Sequence, residues 1–226
     1  MQTEKTQIQT GQDTSARKTE KTTSNLYDYR KVLVFLEKKG KEYYGAKFQL
    51  CQEDREIVKQ LIAYFLQDGE VCSRHGISLE KGIMLTGPIG CGKTTLMNLM
   101  AYVSRPENRH IMKNTRDITF EFIKNGYDTI NQYTREKPYS SQFQIYCFDD
   151  LGVENNIKYF GNDCNVMAEI LLSRYDLFVS HKLRTHITTN LSATELEEAY
   201  GNRLRSRLRE MVNLIAFDKS TKDKRK

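Results

Sequence analysis

One segment constrains the fold of this chain more than any other: Gly87-Pro88-Ile89-Gly90-Cys91-Gly92-Lys93-Thr94. A short apolar run at residues 82–86 precedes it, and residues 94–103 have the pattern of a helix. Glycines between a buried strand and a helix let backbone N–H groups converge on an anion, and the helix N-terminus adds a partial positive charge. The segment therefore predicts a phosphate-binding loop that holds a nucleotide, with Lys93 near the β and γ phosphates and the Thr94 hydroxyl on Mg²⁺.

The residues predicted to contact ATP are the whole loop and the residue after it. They are Gly87, Pro88, Ile89, Gly90, Cys91, Gly92, Lys93, Thr94 and Thr95. Cys91 fits the loop by its size, and no redox role is assigned to it.

Strands and helices alternate around this loop. Helices are predicted at residues 53–67, 115–133 and 165–178, and strands at residues 109–113, 144–148 and 185–189. Ser192 and Glu195 form a capping box that begins a further helix. This alternation predicts an α/β fold with a parallel sheet covered on both faces and a site at the carboxyl ends of the strands.

Two acids follow the predicted strand at residues 144–148. Asp149 is expected to hold Mg²⁺, and Asp150 to orient or deprotonate the water that attacks the phosphate. Adjacent acids at a strand end can equally be solvated loop residues. Their place after a buried strand, in a chain with a phosphate loop, favours the metal and catalytic roles.

These acids also carry a family resemblance. Residues 149–154, Asp-Asp-Leu-Gly-Val-Glu, resemble the Asp-Asp-Leu-Gly signature of DnaC/IstB-type AAA+ ATPases, which are helicase loaders and transposition helper proteins. The resemblance covers residues 43–217. It implies a three-layer P-loop NTPase fold with an AAA+ core and a parallel sheet, ATP and Mg²⁺ as cofactors, and a homo-oligomer with ATP at its subunit interfaces.

Two further stretches share the resemblance. Thr188-Thr189-Asn190 resembles the sensor 1 segment, which implies that Asn190 contacts the γ-phosphate and the catalytic water. Residues 201–208 resemble the box VII motif, which implies that Arg207 is an arginine finger. Asn190 could equally be a turn or cap residue, and the arginines could belong to a solvated basic helix.

The chain divides into four parts. Residues 1–25 are predicted to be a disordered polar tail, 26–42 a short N-terminal arm that docks a partner, 43–217 the ATPase domain, and 218–226 a basic C-terminal tail. A short helix is expected from Leu26 and is expected to break at Lys38-Lys39-Gly40-Lys41; it could instead simply pack on the main domain. Because 19 residues follow Arg207, a helical lid is expected to be truncated or missing.

Charge and hydropathy limit the partners. The net charge of +6 permits DNA as a largely sequence-independent partner. The candidates for DNA contact lie in or near the region between the second and third strands: Lys124, Arg135, Lys137 and Tyr139.

No apolar run is long enough to span a membrane and the first 25 residues contain no apolar signal segment, so a cytoplasmic protein with no membrane partner is expected. Without a Cys-x-x-Cys pair, the five cysteines are expected to be free thiols.

The leading function from sequence is an ATP-hydrolysing AAA+ protein that assembles on DNA or a DNA-handling partner, resembling a DnaC-type replicative helicase loader. One alternative is an IstB-like transposition helper, so that the arm would bind a replicative helicase or a transposase. The other is a nucleotide-gated adaptor with negligible turnover. A GTPase would need an Asn-Lys-x-Asp motif, which the sequence lacks.

Overall fold

The computed structural model describes residues 27–135, 143–154, 156–159 and 162–225. The predicted polar tail at residues 1–25, and the DNA-contact candidates Lys137 and Tyr139, lie outside these ranges. The strands are β1 (Gly82–Thr86), β2 (Ile111–Asn114), β3 (Tyr146–Leu151), β4 (Ile157–Tyr159), β5 (Asn162–Cys164), β6 (Thr185–Thr189) and β7 (Val212–Ala216).

Five strands form a single parallel sheet in the order β2-β3-β6-β1-β7, while β4 and β5 form a separate antiparallel hairpin. The helices are α1 (Tyr29–Tyr44), α2 (Arg55–Leu66), α3 (Gly69–Arg74), α4 (Lys93–Met100), α5 (Thr115–Asn125), α6 (Tyr127–Thr134), α7 (Val166–His181) and α8 (Ala193–Met211).

The two faces of the sheet bury separate hydrophobic cores. Ile83 and Leu85 of β1 pack with residues of α1, α2 and α4, whereas Met84 packs with residues of α5, α7 and α8. This division follows from the alternation of side chains along a strand. The structure thus confirms the predicted three-layer α/β fold with a parallel sheet. Within residues 217–225, which follow β7, the structure has no helix.

Two glycines behave differently from the predictions. Helix α1 continues through Gly40 instead of breaking there, and glycine is required at this position because a Cβ would lie 2.0 Å from Cε1 of Phe48. Gly40 therefore allows the close packing of Phe48 on the helix. By contrast, the helix predicted at residues 115–133 is divided by Gly126, which has a φ of 59° and separates α5 from α6.

The edge strand β7 and the β4–β5 hairpin were not predicted from the sequence. Strand β7 begins at Val212 directly after α8 ends at Met211, with no turn residue between them. The Asn213 side chain fixes this strand, because it bonds the backbone of Ser78 and donates to the carbonyl of Gly82.

A buried arginine joins the helical layer to the sheet. Arg174 of α7 is 1% exposed, and it donates to the Thr185 hydroxyl and to the backbone carbonyls of Tyr133, Gln144 and Arg184. Its guanidinium also lies 5.3 Å from the centre of the Tyr146 ring. Among the described residues, these contacts satisfy a buried charge without a carboxylate partner, which identifies Arg174 as a structural residue.

Candidate nucleotide-binding site

The predicted phosphate loop joins β1 to α4. Gly90 and Gly92 have φ values of 78° and 102°, a region that side-chain-bearing residues rarely adopt. Nothing lies within 4 Å of a Cβ placed on Gly92, so backbone conformation explains glycine there. The chain needs this conformation to begin α4 directly after the loop.

Lys93 is held at the loop by the loop's own backbone. It is 6% exposed, and its ammonium donates to the carbonyls of Gly87 at 2.8 Å and Pro88 at 2.9 Å. A cation placed this way is available to neutralise bound phosphate. Burial raises the pKa of the neighbouring Cys91 thiol, which agrees with the absence of an assigned redox role.

The Asp149 carboxylate accepts hydrogen bonds from hydroxyl groups on two elements. Thr94 at the start of α4 donates to Asp149 Oδ1 at 2.9 Å, and Thr188 of β6 donates to the same oxygen at 2.6 Å. Burial raises the pKa of the Asp149 carboxyl, and the hydrogen bonds from Thr188 and Thr94 oppose that shift. The structure thereby brings together the two predicted Mg²⁺ ligands.

This donor set fits Mg²⁺ in a nucleotide site. Thr94 and Asp149 offer hard oxygen atoms, and Mg²⁺ in such sites takes one or two protein ligands together with phosphates and water. Among the described residues, no group of three or more His, Cys, Asp and Glu side chains is placed to hold a metal by itself. A metal held jointly by protein and nucleotide is consistent with that finding.

The strand is irregular at Asp150. The pairing of β3 with β6 shifts register between Phe148 and Leu151, and Asp150 has a φ of 56°. Its N–H donates to Thr188 Oγ1 at 2.9 Å, and its carbonyl accepts from Thr115 Oγ1 at 3.0 Å. A left-handed conformation costs a non-glycine residue about 1–3 kcal/mol, so these bonds hold a strained residue in place.

Asp150 and Asn190 line the same cavity as the loop. The cavity has a volume of about 860 Å³, within the usual range for small-ligand sites. Its wall includes the loop residues Ile89, Gly90, Cys91, Gly92, Lys93, Thr94 and Thr95. A second part of the wall comes from residues that sequence reasoning did not assign to the site: Tyr44, Phe48, Leu50, Cys51, Asp54, Lys224 and Arg225.

Arg207 lies away from this cavity. It belongs to α8, and its guanidinium stacks at 4.1 Å from the centre of the Tyr175 ring. Two residues later, the Arg209 carbonyl accepts from Lys81 Nζ at 3.1 Å. Lys81 lies just before β1, and the phosphate loop lies just after this strand. The five residues of β1, about 13–17 Å of chain, therefore separate this part of α8 from the loop.

Thr188 and Thr115 are the functional positions that sequence reasoning missed. Thr188 is fully buried and bonds both acids, while Thr115 supports the backbone of Asp150. The position of Thr188 at a strand end, in the stretch that resembles sensor 1, is the local signal that could have indicated it. The remaining described DNA-contact candidates are Lys124, in the last turn of α5, and Arg135, which follows α6.

The cysteine prediction is confirmed, since all five cysteines are free thiols in the structure. Three of them are buried: Cys72, Cys91 and Cys147.

Comparison by sequence relates the chain to ATP-binding proteins of transporters. The model of the family described as ABC transporter matches residues 73–211. The spermidine/putrescine import ATP-binding protein PotA of Ureaplasma parvum serovar 3 is 33% identical over 90 residues, which cover 38% of this chain and 15% of that protein. The Fe(3+) ions import ATP-binding protein FbpC of Photobacterium profundum is 28% identical over 111 residues, 48% of this chain and 28% of that protein.

Comparison by structure relates the fold to different proteins. The DnaC helicase loader superposes with a TM-score of 0.51 and 19% identity, over 76% of this chain and 94% of that one. DnaI superposes with a TM-score of 0.51 and 18% identity, over 76% and 89% of the two chains. At such identities the likeness concerns the fold alone. The DnaC/IstB resemblance itself stays a prediction, because the matching family and curated relatives are transporter ATP-binding proteins.

Proposed function

From the premise that this chain belongs to the ABC transporter family, matched over residues 73–211, and is an ATP-binding, ATP-hydrolysing P-loop NTPase, we propose that it couples ATP to assembly on DNA or on a DNA-handling partner. The proposed role resembles that of a DnaC-type replicative helicase loader. The AAA+ fold and the position of Arg207 support it. The chain spans less than a third of the length of the curated relatives cited above, so the transport named for them is not carried over to it.

The roles proposed at the site are supported by its geometry and, for Asn190, by the sensor 1 resemblance. Backbone N–H groups of the loop bind the phosphates, Lys93 neutralises their charge, and Thr94 and Asp149 hold the metal. Bound Mg²⁺ supplies positive charge against the phosphate oxygens. The Asp150 carboxylate, on the cavity wall, orients or deprotonates the attacking water, and Asn190 contacts that water and the terminal phosphate.

The observation that carries the proposal is the distance of Arg207 from its own phosphate loop. Arg207 lies two residues before Arg209, whose carbonyl contacts Lys81 at the end of β1 opposite the loop, and its guanidinium stacks on Tyr175, which supports a role away from the ATP of its own chain. If it is an arginine finger, it acts on the ATP of a neighbouring copy. ATP then lies between subunits, and its hydrolysis is linked to assembly.

The arm at residues 26–42 offers a surface for the partner. Helix α1 packs on the domain through the buried Leu36 and Gly40 but leaves Val34 68% exposed. We assign this exposed face of α1 to a replicative helicase, or to a transposase if the protein is a transposition helper. DNA would bind through the positive charge of the chain, without strong sequence preference.

The test of the proposal is ATP turnover with and without single- and double-stranded DNA at low salt, with Lys93→Ala as the inactive control. DNA binding should be stronger with ATP than with ADP and should weaken steeply as salt is added. Absence of DNA binding together with negligible turnover would contradict the proposal and favour the nucleotide-gated adaptor.

The partner surface has its own test. Val34→Glu should weaken co-purification with the helicase or transposase while leaving the unfolding midpoint unchanged, because Val34 is exposed. Val179→Glu is the matched control, since Val179 is 56% exposed on α7. Equal binding by both variants would remove α1 from the interface.

The sequence comparison supports a second candidate, an ATP-binding subunit that energises an importer. Its support is the family match together with the relatives whose names describe import. None of the helices in the described ranges is long and apolar enough to cross a bilayer, so such a role would need a separate membrane partner. Stimulation of turnover by vesicles containing that partner, and not by DNA, would favour this candidate.

A further inference from the structure

Residues 218–225, here called the 218–225 segment, lie against the phosphate loop. The preceding residue, Phe217, is buried, and its N–H donates to the carbonyl of Thr86 at 2.8 Å. The backbone N–H of Lys224 donates to the carbonyl of Gly90 at 3.0 Å, and Lys224 Nζ donates to the carbonyl of Cys91 at 2.8 Å. One residue thus binds two consecutive peptide groups of the loop.

These contacts bear on phosphate binding because a peptide unit is planar and trans. The Gly90 carbonyl and the Cys91 N–H belong to one unit, and the Cys91 carbonyl and the Gly92 N–H belong to the next. In each unit the two groups point in opposite directions. When Lys224 holds both carbonyls, the rotation of both units is restricted; the Cys91 N–H donates to the Pro88 carbonyl at 3.4 Å, and the direction of the Gly92 N–H is fixed with its peptide unit.

Lys224 is itself held by further contacts. Its ammonium pairs with the carboxylate of Asp54, whose side chain is 8% exposed, and lies 5.2 Å from the centre of the Phe217 ring. The neighbouring Asp223 carboxylate packs so closely that a Cβ on Gly90 would lie 2.0 Å from its Oδ1. The approach of the segment to the loop therefore also depends on glycine at position 90.

We propose that Lys224 is a positioning residue of the nucleotide site, which holds the phosphate loop in the conformation that binds phosphate. The inference rests on the nucleotide site of the proposed function and is independent of DNA and of any protein partner. This inference differs from the sequence prediction of a basic C-terminal tail at residues 218–226. A free tail would leave the loop unaffected, whereas the inferred role makes the 218–225 segment part of the nucleotide site.

The experiment measures the Kd for a fluorescent ATP analogue, with no DNA present, in the full chain. Lys224→Met removes the ammonium and keeps a long apolar side chain, and we expect the Kd to rise at least about fivefold, since a hydrogen bond from a charged donor is lost. Lys224→Arg keeps a cationic donor and should restore binding. Lys222→Met is the matched control, because Lys222 carries the same charge on the same segment and is exposed.

Two further measurements separate positioning from folding. The unfolding midpoint without nucleotide reports whether Lys224→Met is folded, and the double variant Asp54→Asn, Lys224→Met removes the carboxylate that the single variant leaves unpaired. Amide hydrogen exchange at residues 90–95 should be faster in both variants than in wild type, since these peptide groups are no longer held.

Weaker binding in Lys224→Met and in the double variant, with rescue by Lys224→Arg, supports the inference. Unchanged affinity in Lys224→Met overturns it, and tighter binding also overturns it, because the segment would then obstruct the site. Lys93→Ala distinguishes this failure from failure of the nucleotide site. If Lys93→Ala lowers affinity and Lys224→Met does not, the inference about Lys224 is wrong and the nucleotide site stands.

Discussion

Thr188 offers the sharpest test of how the two acids are arranged. Its hydroxyl donates to the Asp149 carboxylate at 2.6 Å and accepts from the Asp150 N–H at 2.9 Å, and the residue is fully buried. Thr188→Val preserves the volume and shape of the side chain but removes both bonds. The change therefore tests the hydroxyl itself, with little disturbance of packing.

The cost can be worked out from the two bonds. The bond to the carboxylate is worth about 1.5–3 kcal/mol, and leaving the Asp150 N–H without a partner costs about 1–3 kcal/mol. We therefore expect Thr188→Val to lower the free energy of unfolding by about 3–5 kcal/mol, a large share of the stability of a single domain. Asp150 also loses one of the bonds that hold its left-handed backbone, so its carboxylate should turn from the cavity and turnover should fall.

Urea denaturation measures the first effect, and steady-state turnover at varied Mg²⁺ concentration measures the second. Thr189→Val is the control, since Thr189 is equally buried but bonds the Leu151 carbonyl and the Leu191 N–H, with no contact to either acid. Both variants should be destabilised, yet only Thr188→Val should need more Mg²⁺, and Thr188→Ser should recover activity. The reasoning is refuted if Thr188→Val keeps wild-type turnover and Mg²⁺ dependence.

Four other predictions concern single residues of the site and the core. Lys93→Ala should lower ATP affinity at least about tenfold, because it removes a charge-assisted contact of about 1.5–3 kcal/mol; an unchanged titration with a fluorescent ATP analogue would contradict this. Asp149→Asn should weaken Mg²⁺-dependent binding, whereas Asp150→Asn should bind ATP and fail to hydrolyse it; near-normal turnover in the latter would show that water is activated elsewhere. Arg174→Leu should lower the free energy of unfolding in urea by about 3–5 kcal/mol, since three backbone carbonyls and the buried Thr185 hydroxyl lose their donor, and a loss under about 1 kcal/mol would contradict its structural role. Arg207→Ala should bind ATP normally but turn over about 10³-fold more slowly, and mixing it with Lys93→Ala should restore activity at interfaces that pair an intact loop with an intact finger. A mixture that stays inactive while light scattering shows co-assembly would exclude a finger acting between subunits.

The phosphate loop and the two acids could be located from the sequence because their signals are local. A run of eight residues sets the loop backbone, and a buried strand followed by Asp149 and Asp150 needs no distant information. The order of strands and helices was predictable for the same reason, since the period of apolar residues is read within a short window. Gly40 did not break its helix, and its glycine is explained by the packing of Phe48, which lies outside the helix.

The tertiary structure decided how these local segments are arranged around the site. The arrangement of Asp149 and Asp150 depends on a register shift against β6 and on Thr188, which is separated from them by about forty residues of chain. The contact of Lys224 with Asp54 joins residues 170 positions apart. Such contacts depend on how whole elements pack, and no local pattern encodes that packing. The sequence by itself determined that this chain has a phosphate loop and adjacent acids, whereas the packing of distant segments determined which groups orient them.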